Sequence, residues 1–546
     1  MERLLISLFF FLLALNIPAS LYSNDDYPDH QELTARLKSL ESSYPGYVSL
    51  ESLTKTEGER DVWILSVGSG NLAEQPAVAV VGGTTGDHLL GTELALRIAE
   101  KLLENTSTGE TDDLLNSHTF YIFPDMSPDA REQYFSSLRY ERRGNSNSSY
   151  TDRYGMEIEH PYRDLNDDGM ISLMRIKDPA GEWIEHPDDE RIMVKAMKSH
   201  GEKGKYNIYS EGEDILKDER WNEAGVQFNR NFSFNYPVFT KGAGHHALSE
   251  QESRAIAQFL FEAKNVYAVI SFGPANNLSE PVKYNERDAS GRIITGILEG
   301  DASVNQMVSK IYNEMTGKVS GKGVPGSDGD FFQWAYFHYG RFSFSTPGWS
   351  VPDINTEGSG NNENTGRGDN PELNFLRWAD DMGMDNVFIP WEKVHHPQFP
   401  DKEIEVGGII PFAMKNPPAE MIGEIAENHY NFIIEFAGLR PVIEIMNVRT
   451  EELGRGIYRI TADIVNKGVL PTVTELGERV RWVQKSVVRL EPGNGQEVLS
   501  GNRIEVLGPV EGGKSETRSW LIRGRGNIGL SAGAENSGYG ELIIKL

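Results

Sequence analysis

The apolar positions in the first part of the chain follow two periods, one typical of helices and one of buried strands. Three leucines share one face of the segment 29–44, and this spacing predicts an amphipathic helix. The apolar run 77–81 stops at two glycines, which is typical of a buried strand ending in a tight turn. The same reasoning predicts strands over 118–123, 266–272 and 341–345, and helices around 94–102 and over 249–263.

Buried strands that are separated by helices indicate how the first domain is built. This order predicts an α/β fold, a mixed β-sheet with helices on both faces. Ligands of such sheets bind beyond the carboxyl ends of the strands. Functional residues are therefore expected after Val81 and after Phe272.

The pattern changes near Pro441. Apolar residues then alternate with polar ones over 458–464, and glycine and proline separate short strand-like runs up to the C-terminus. This texture predicts an all-β sandwich over 441–546. The preceding domain is predicted to span 28–437, with the Gly/Asn-rich tract 355–370 as a mobile surface loop.

Composition narrows the classes of function. A chain of 546 residues is longer than one hydrophobic core usually supports, so at least two domains are expected. Its content of 38% apolar and 25% charged residues is typical of a globular protein. Lys and Arg total 53 against 81 Asp and Glu, which gives a formal net charge of −28. Such a chain repels phosphate backbones, so no nucleic-acid partner is expected.

The N-terminus predicts the compartment. Arg3 precedes the nearly unbroken apolar run Leu4–Ile17, and small residues follow before a polar segment. This order predicts a secretory signal peptide over 1–23, and an uncleaved membrane anchor is the alternative. No stable membrane insertion is expected elsewhere. An exported chain without cysteine indicates a bacterial-type secreted or periplasmic protein.

Six motifs together resemble one family. They are GGTTGDHLLGTE (82–93), SPDA (127–130), GVQFNRNF (225–232), LSEQESRAI (248–256), VISFGP (269–274) and FFQWAYFHYGRFSFSTPGW (331–349). Their order resembles the carboxypeptidase A-like zinc metallocarboxypeptidases, in a long bacterial form with an appended β-sandwich. The resemblance implies a zinc-carboxypeptidase fold for the first domain.

The family's catalytic residues are not matched. The resemblance implies two His and one Glu that bind zinc, with a second Glu as general base. The three zinc positions hold Thr85, His88 and Gly273, and the general base falls at Pro347, or at Thr346 if the register slips by one. The family's substrate-side tyrosine is also unmatched. We therefore expect zinc to be absent and no catalytic residue to be retained.

Two further groups of residues are candidate binding sites. In the family, the residues matching Asn229 and Arg230 hold the C-terminal carboxylate of a peptide. A structural ion pair of Arg230 is the alternative. The segment 164–172 begins like a calcium loop, with ligands from Asp164, Asn166, Asp168 and the carbonyl of Met170.

The calcium prediction has an alternative as well. The twelfth position of the loop is Arg175, where a bidentate Glu is wanted. The spacing of the acidic stretch 211–223 is too irregular for it to count as a source of the missing ligands, and an Asx-rich turn without metal is the alternative interpretation.

These features favour a secreted, non-catalytic pseudopeptidase that binds peptide C-termini or a protein partner. One alternative is an active metallocarboxypeptidase with an atypical zinc site. A second is a scaffold or adhesion protein that acts through its β-sandwich.

Overall fold

A computed structural model describes residues 27–106, 109, 111–145, 162–213, 225–317, 321–352, 370–480 and 482–546. The predicted signal peptide (1–23) and the predicted loop (355–370), apart from Asn370, lie outside these residues. Across the described ranges, none of the helices combines the length and the hydropathy that a membrane crossing requires.

Some of the helices begin at a residue whose side chain caps them. Asp29 forms a capping box with Glu32, and Asp330 and Asn370 accept hydrogen bonds from first-turn amides. The helices are α1 (His30–Ser43), α2 (Leu89–Glu104), α3 (Asp112–Leu115), α4 (Pro128–Arg131), α5 (Gln251–Glu262), α6 (Glu286–Ser290), α7 (Glu299–Thr316), α8 (Phe331–Phe337), α9 (Pro371–Asp381) and α10 (Ala419–Gly438).

The strands fall into a first group before residue 350 and a second group after it. The first group is β1 (Val48–Lys55), β2 (Asp61–Val67), β3 (Ala77–Val81), β4 (Thr119–Phe123), β5 (Gly144–Asn145), β6 (Leu173–Lys177), β7 (Trp183–His186), β8 (Asp189–Lys195), β9 (Tyr206–Ser210), β10 (Val226–Gln227), β11 (Val266–Phe272) and β12 (Phe342–Thr346). The second group is β13 (Phe388–Lys393), β14 (Ile404–Ile409), β15 (Ile443–Gly454), β16 (Ile457–Asn466), β17 (Val487–Pro492), β18 (Glu497–Ser500), β19 (Ile504–Val506), β20 (Ser515–Arg523), β21 (Asn527–Ala534) and β22 (Gly538–Lys545).

The predicted α/β fold is confirmed by the main sheet. Its strand order is β1-β2-β4-β3-β11-β12. β3 pairs in parallel with β4 and β11, and β11 pairs in parallel with β12. At the other edge β1 pairs antiparallel with β2, and β2 pairs antiparallel with β4. β3 and β11 have the predicted bounds, and all their residues are buried, as expected of central parallel strands.

Helices cover both faces of this sheet, as predicted. On one face α1, α2, α7, α9 and α10 pack into the largest apolar cluster, which includes Leu33, Leu94 and Phe436. On the other face α5 and α8 pack with Ile256 and Trp334 into a second cluster. These two cores hold the strand ends of the central sheet in fixed positions.

A second six-stranded sheet, which the apolar pattern did not predict, is inserted in the first domain. Its order is β13-β14-β6-β9-β7-β8, and the pairings are antiparallel. Its small core contains Met174, Ile176, Ile404 and Val406. Strands β6 and β14 are joined across more than two hundred residues of sequence by the Arg175–Glu405 ion pair, at 2.7 Å.

The C-terminal residues form the predicted all-β domain. Two four-stranded sheets, β15-β16-β20-β18 and β19-β17-β21-β22, enclose a core that includes Ile460, Ile464 and Trp520. The alternation in β16 is confirmed, because its buried residues lie at every second position. Asp301 in α7 accepts the amide protons of Glu475 and Leu476, which ties the two domains together.

Candidate functional site

The candidate site lies where three parallel strands end side by side. Val81 pairs with Ser271, and Phe272 pairs with Thr346, so the turns that follow β3, β11 and β12 meet at one edge of the sheet. These turns line a cleft of about 710 Å³, called here the central cleft. It contains Thr85, His88, Asn229, Arg230 and Gly273 among its lining residues. The turns after Val81 and Phe272, where the sequence predicts functional residues, therefore line this cavity.

The turn after β3 depends on glycine. Gly83 has φ +57°, a left-handed conformation, and a Cβ on it would lie 2.7 Å from Asp125 Cα. Only glycine adopts this conformation so close to another backbone without strain. The turn delivers Thr84 and Thr85 to the floor of the central cleft.

Asp87 is the centre of a buried charge cluster beside the cleft. Its side chain is 3% exposed, and it accepts hydrogen bonds from Thr85 Oγ1 at 2.6 Å and from Arg143 Nε at 2.9 Å. Lys415 Nζ donates to it and also to Glu141. Burial acts to raise the pKa of Asp87, but the two cations outweigh it and the pKa lies below its usual range. Asp87 is thus ionised and fully paired.

Two distant segments bring these cations to Asp87. The short β5–β10 pairing sets Asn145 opposite Val226, which places Arg143 beside the segment that carries Asn229. Lys415 comes from the loop after β14, where Phe412 has φ +72° and is 2% exposed. Asn416 in the same loop accepts the Leu90 amide proton at 3.1 Å and so holds the start of α2.

His88 is locked into the fold. Its Nε2 lies 2.8 Å from the carbonyl oxygen of Pro347, so Nε2 carries the proton and donates it to that oxygen. Its Nδ1 is buried, has no hydrogen-bond partner among the described residues, and faces Gly91, where a Cβ would approach it to 2.8 Å. Burial lowers the pKa of His88. The ring is therefore neutral, with Nε2 bonded to Pro347 and Nδ1 close to Gly91.

Thr84 occupies the space that a side chain at position 273 would take. A Cβ on Gly273 would lie 2.3 Å from Thr84 Oγ1 and 3.7 Å from Asn229 Nδ2. Thr84 Oγ1 in turn donates to the carbonyl oxygen of Phe272 at 3.0 Å. The space beside β11 thus accommodates no side chain at position 273 without a shift of Thr84.

The residues at the three positions that the resemblance assigns to zinc do not fit the metal. Zinc binds through several nitrogen, sulfur or carboxylate donors at about 2.0–2.3 Å. Thr85 donates its hydroxyl proton to Asp87, His88 Nε2 is bonded to Pro347, and Gly273 has no side chain. Throughout the described part of the chain, no three His, Asp or Glu side chains are grouped so as to hold a metal ion.

The two candidate positions for the general base lie in different surroundings at the end of β12. Thr346 is completely buried and bonds to Tyr312 Oη at 2.8 Å, whereas Pro347 lines the central cleft. The cleft-facing position of this turn therefore carries a side chain that neither donates nor accepts a proton.

Asn229 and Arg230 lie together on the wall of the central cleft, in a short 3₁₀ turn. Asn229 Oδ1 accepts the Phe331 amide proton at 3.4 Å, which leaves its Nδ2 toward Gly273. Arg230 Nη2 donates to Thr240 Oγ1 at 3.0 Å. Within the described residues Arg230 forms no ion pair, so its guanidinium is available to an anionic ligand.

The predicted calcium loop is closed on its own backbone. Asp164 accepts amide protons from Asp168 and Gly169, and Asp168 accepts one from Met170 at 2.8 Å. Glu211 is buried beside the loop and accepts the Leu165 and Ser172 amide protons. Burial raises its pKa despite these bonds. Calcium at Asp164, Asn166, Asp168 and the carbonyl of Met170 stays a prediction.

Several cleft residues were not found by sequence reasoning. Asp87 stands inside the recognised segment 82–93, and Arg143 follows another arginine just before a strand, so both carried a local signal. Trp349 likewise ends the recognised segment 331–349, whereas Met414 and Lys415 line the cleft from a segment without such a signal.

Comparisons with known proteins find carboxypeptidases over part of the chain. The zinc carboxypeptidase family model matches residues 33–182, and a model described as a domain of unknown function matches 442–545. Carboxypeptidase B of Astacus astacus is 28% identical over 120 residues, covering 22% of this chain and 39% of that protein. Carboxypeptidase M of Mus musculus is 32% identical over 108 residues, covering 19% and 24%. The chain thus spans well under half the length of these curated relatives.

Among solved structures, two carboxypeptidase-fold chains are similar over most of the chain. Thrombin activatable fibrinolysis inhibitor has a TM-score of 0.41 at 11% identity, covering 76% of this chain and 75% of that one. A metallo-carboxypeptidase from Burkholderia cenocepacia has a TM-score of 0.34 at 12% identity, covering 76% and 70%.

Proposed function

We propose that this chain, which carries a zinc-carboxypeptidase domain, is a secreted pseudopeptidase that binds the C-terminus of a peptide or protein without cleaving it. The observation that carries the proposal is Arg230, a cleft-lining guanidinium that has no carboxylate partner within the described residues. A planar guanidinium binds a carboxylate through two parallel hydrogen bonds. A free C-terminal carboxylate matches this group in charge and in geometry.

Neighbouring residues support the same ligand. The amide of Asn229 supplies a further donor beside Arg230. The other two cations of the central cleft, Arg143 and Lys415, are paired with Asp87. The anionic end of a ligand therefore meets its strongest unpaired attraction at Arg230.

The absence of cleavage rests on the residues in the strand-end turns. A general base must lie within hydrogen-bond reach of the attacking water. Pro347 has no titratable group, and His88 donates its proton to a backbone carbonyl while burial keeps it neutral. At these two turns His88 and Pro347 therefore leave no group that takes a proton from water, whereas Asn229 and Arg230 remain to bind and orient a carboxylate.

Peptide binding tests the carboxylate contact directly. The full chain is titrated with a peptide that has a free C-terminus and with its amidated twin. Losing a charge-assisted bidentate contact costs about 1.5–3 kcal/mol, so the amidated peptide should bind roughly ten- to a hundredfold more weakly. Arg230→Ala should abolish this difference, and Arg254→Ala, which removes an exposed arginine of α5, serves as the matched control.

Two results would contradict the carboxylate contact. One is equal affinity for both peptides. The other is an unchanged preference in Arg230→Ala. Either result would leave Arg230 as a structural residue and would favour a protein that acts through its β-sandwich.

Elemental analysis tests the non-catalytic half of the proposal. The purified protein should carry far less than one zinc per chain and should release no C-terminal residues from peptides. Stoichiometric zinc whose removal by a chelator abolishes hydrolysis would instead establish an active metallocarboxypeptidase with an atypical site.

A further inference from the structure

A second cavity, called here the side cleft, adjoins the central cleft. It has a volume of about 460 Å³ and is lined by residues that include Tyr140, Tyr162, Phe388, Trp391, Arg191 and Glu372. Arg143 and Met414 line both cavities. The two cavities are therefore neighbours that share these two side chains.

The inserted sheet builds much of the side cleft. Leu173 in β6, Met193 in β8, Trp391 in β13 and Ile409 in β14 line it. The antiparallel pairing of β13, β14 and β6 fixes these side chains relative to one another. The side cleft is thus a preformed part of the fold.

Aromatic rings form one part of its wall. Tyr140 and Tyr162 are in edge contact, with ring centroids 5.5 Å apart. Trp391 is held by Arg175, whose guanidinium lies 4.3 Å from the ring centroid, and by a hydrogen bond from Nε1 to the Arg191 carbonyl oxygen. Such rings offer large contact areas to the apolar parts of a ligand at low cost in side-chain entropy.

The charged residues of the side cleft are paired, with one important exception. Arg191 forms ion pairs with Asp189 at 2.7 Å and Asp380 at 2.6 Å. Glu141 is paired with Lys415. Glu372 lies in the first turn of α9, and within the described residues its carboxylate has no hydrogen-bond or ion-pair partner. Burial raises the pKa of Glu372, and the side cleft therefore presents a carboxyl group to which a cationic ligand would supply the missing partner.

These observations define the chemistry of the occupant. The occupant of the side cleft is part of the same molecule as the carboxylate at Arg230. It contacts aromatic rings, and it carries a positive charge toward Glu372. A polypeptide with a lysine or arginine upstream of its C-terminus has all three properties. A small free acid has only the first.

We propose that the side cleft binds the upstream segment of the peptide whose C-terminus lies at Arg230, and that Glu372 selects a lysine or arginine in this segment. This inference rests on the proposed function. It makes the ligand a polypeptide tail of several residues instead of a single terminal residue.

The experiment uses the full chain and synthetic peptides with free C-termini. A ten-residue peptide with one lysine, placed in turn at each upstream position, is compared with a dipeptide of the same C-terminal sequence and with lysine-to-norleucine versions. The ten-residue peptide should bind at least tenfold more tightly than the dipeptide. At one position, norleucine should weaken binding about two- to fivefold, as expected for a partly exposed ion pair.

Two variants separate the role of Glu372 from general effects. Glu372→Gln should make the lysine and norleucine peptides equal in affinity while leaving dipeptide binding unchanged. Glu420→Gln is the matched control, since Glu420 is also a first-turn glutamate, in α10, and does not line either cleft. Trp391→Ala should weaken the ten-residue peptide but not the dipeptide.

The outcomes distinguish this inference from the proposed function. A preference for free over amidated dipeptide without any dependence on length would overturn the side-cleft proposal and leave the carboxylate contact intact. Equal effects of Glu372→Gln and Glu420→Gln would overturn the selection of a basic residue. No preference for a free carboxylate at any length would contradict both.

Discussion

His88 Nε2 lies 2.8 Å from the carbonyl oxygen of Pro347, and this hydrogen bond joins the start of α2 to the turn after β12. The two residues stand where the family resemblance places a zinc ligand and the general base. A pair of positions expected to act on a substrate is thus used to connect two strand-end turns. The bond is partly buried and joins two elements of the fold, so it contributes to the stability of the first domain.

Removing this bond should destabilise the first domain. His88→Ala leaves a carbonyl oxygen unpaired and opens a cavity, which together cost about 2–4 kcal/mol. Calorimetric melting should show a lower transition temperature for the variant. His245→Ala removes an exposed histidine and should leave the transition where it is; a similar loss in both variants would argue against a specific role for the His88–Pro347 bond.

The close approach at Gly273 gives a prediction about paired substitutions. Gly273→Ala places a Cβ 2.3 Å from Thr84 Oγ1, and such overpacking costs about 1–3 kcal/mol. Thr84→Ala alone loses the hydrogen bond to Phe272. Because the second change removes the atom that clashes, the double variant should be more stable than the sum of the single effects. Additive losses in chemical unfolding would show that Thr84 does not occupy this space.

Glu252 should make stability depend on pH. Burial raises the pKa of Glu252 to about 7 in the folded protein, above the ordinary value of 4.5 that it regains on unfolding. Between these two values the folded state holds a proton that the unfolded state releases. Its contribution is therefore present below pH 4.5 and is lost as the pH rises to about 7, by up to about 3 kcal/mol.

Glu252→Gln should remove this part of the pH dependence. The amide stays neutral and its oxygen accepts the proton of Asn145 Nδ2, as Glu252 Oε1 does now at 2.8 Å. The variant should gain stability relative to the native chain between pH 5 and pH 8, as measured by unfolding at a series of pH values. Glu262→Gln, an exposed residue of the same helix, should leave the profile unchanged.

Calcium should stabilise the protein if the loop 164–172 binds it. A weak extracellular-type site has a Kd on the order of 10⁻⁴–10⁻³ M. A tenfold excess of calcium then adds about 1.4 kcal/mol, or a few degrees in melting temperature. Asp168→Ala should abolish the difference between melts with calcium and with chelator, whereas Asp167→Asn, next to the predicted ligands, should retain it. Identical melts of the native chain would leave an Asx-rich turn.

The sequence by itself determined the central strands and the sandwich. β3 and β11 are continuous apolar runs because both of their faces are buried, and β16 alternates because only one of its faces is. These patterns are local, so they can be recognised in the sequence without knowledge of the fold. The order of motifs likewise predicted the cleft positions of Thr85, His88 and Gly273.

The tertiary structure decided which groups are engaged and which are free. Lys415 reaches Asp87 across 328 residues of sequence, and Arg175 reaches Glu405 across 230. No periodicity in either segment encodes such a meeting, because it depends on where the chain returns after many intervening elements. The same reason applies to the inserted sheet, whose short, half-exposed strands are stabilised by distant partners. It applies equally to His88, whose bond to Pro347 only the assembled sheet creates.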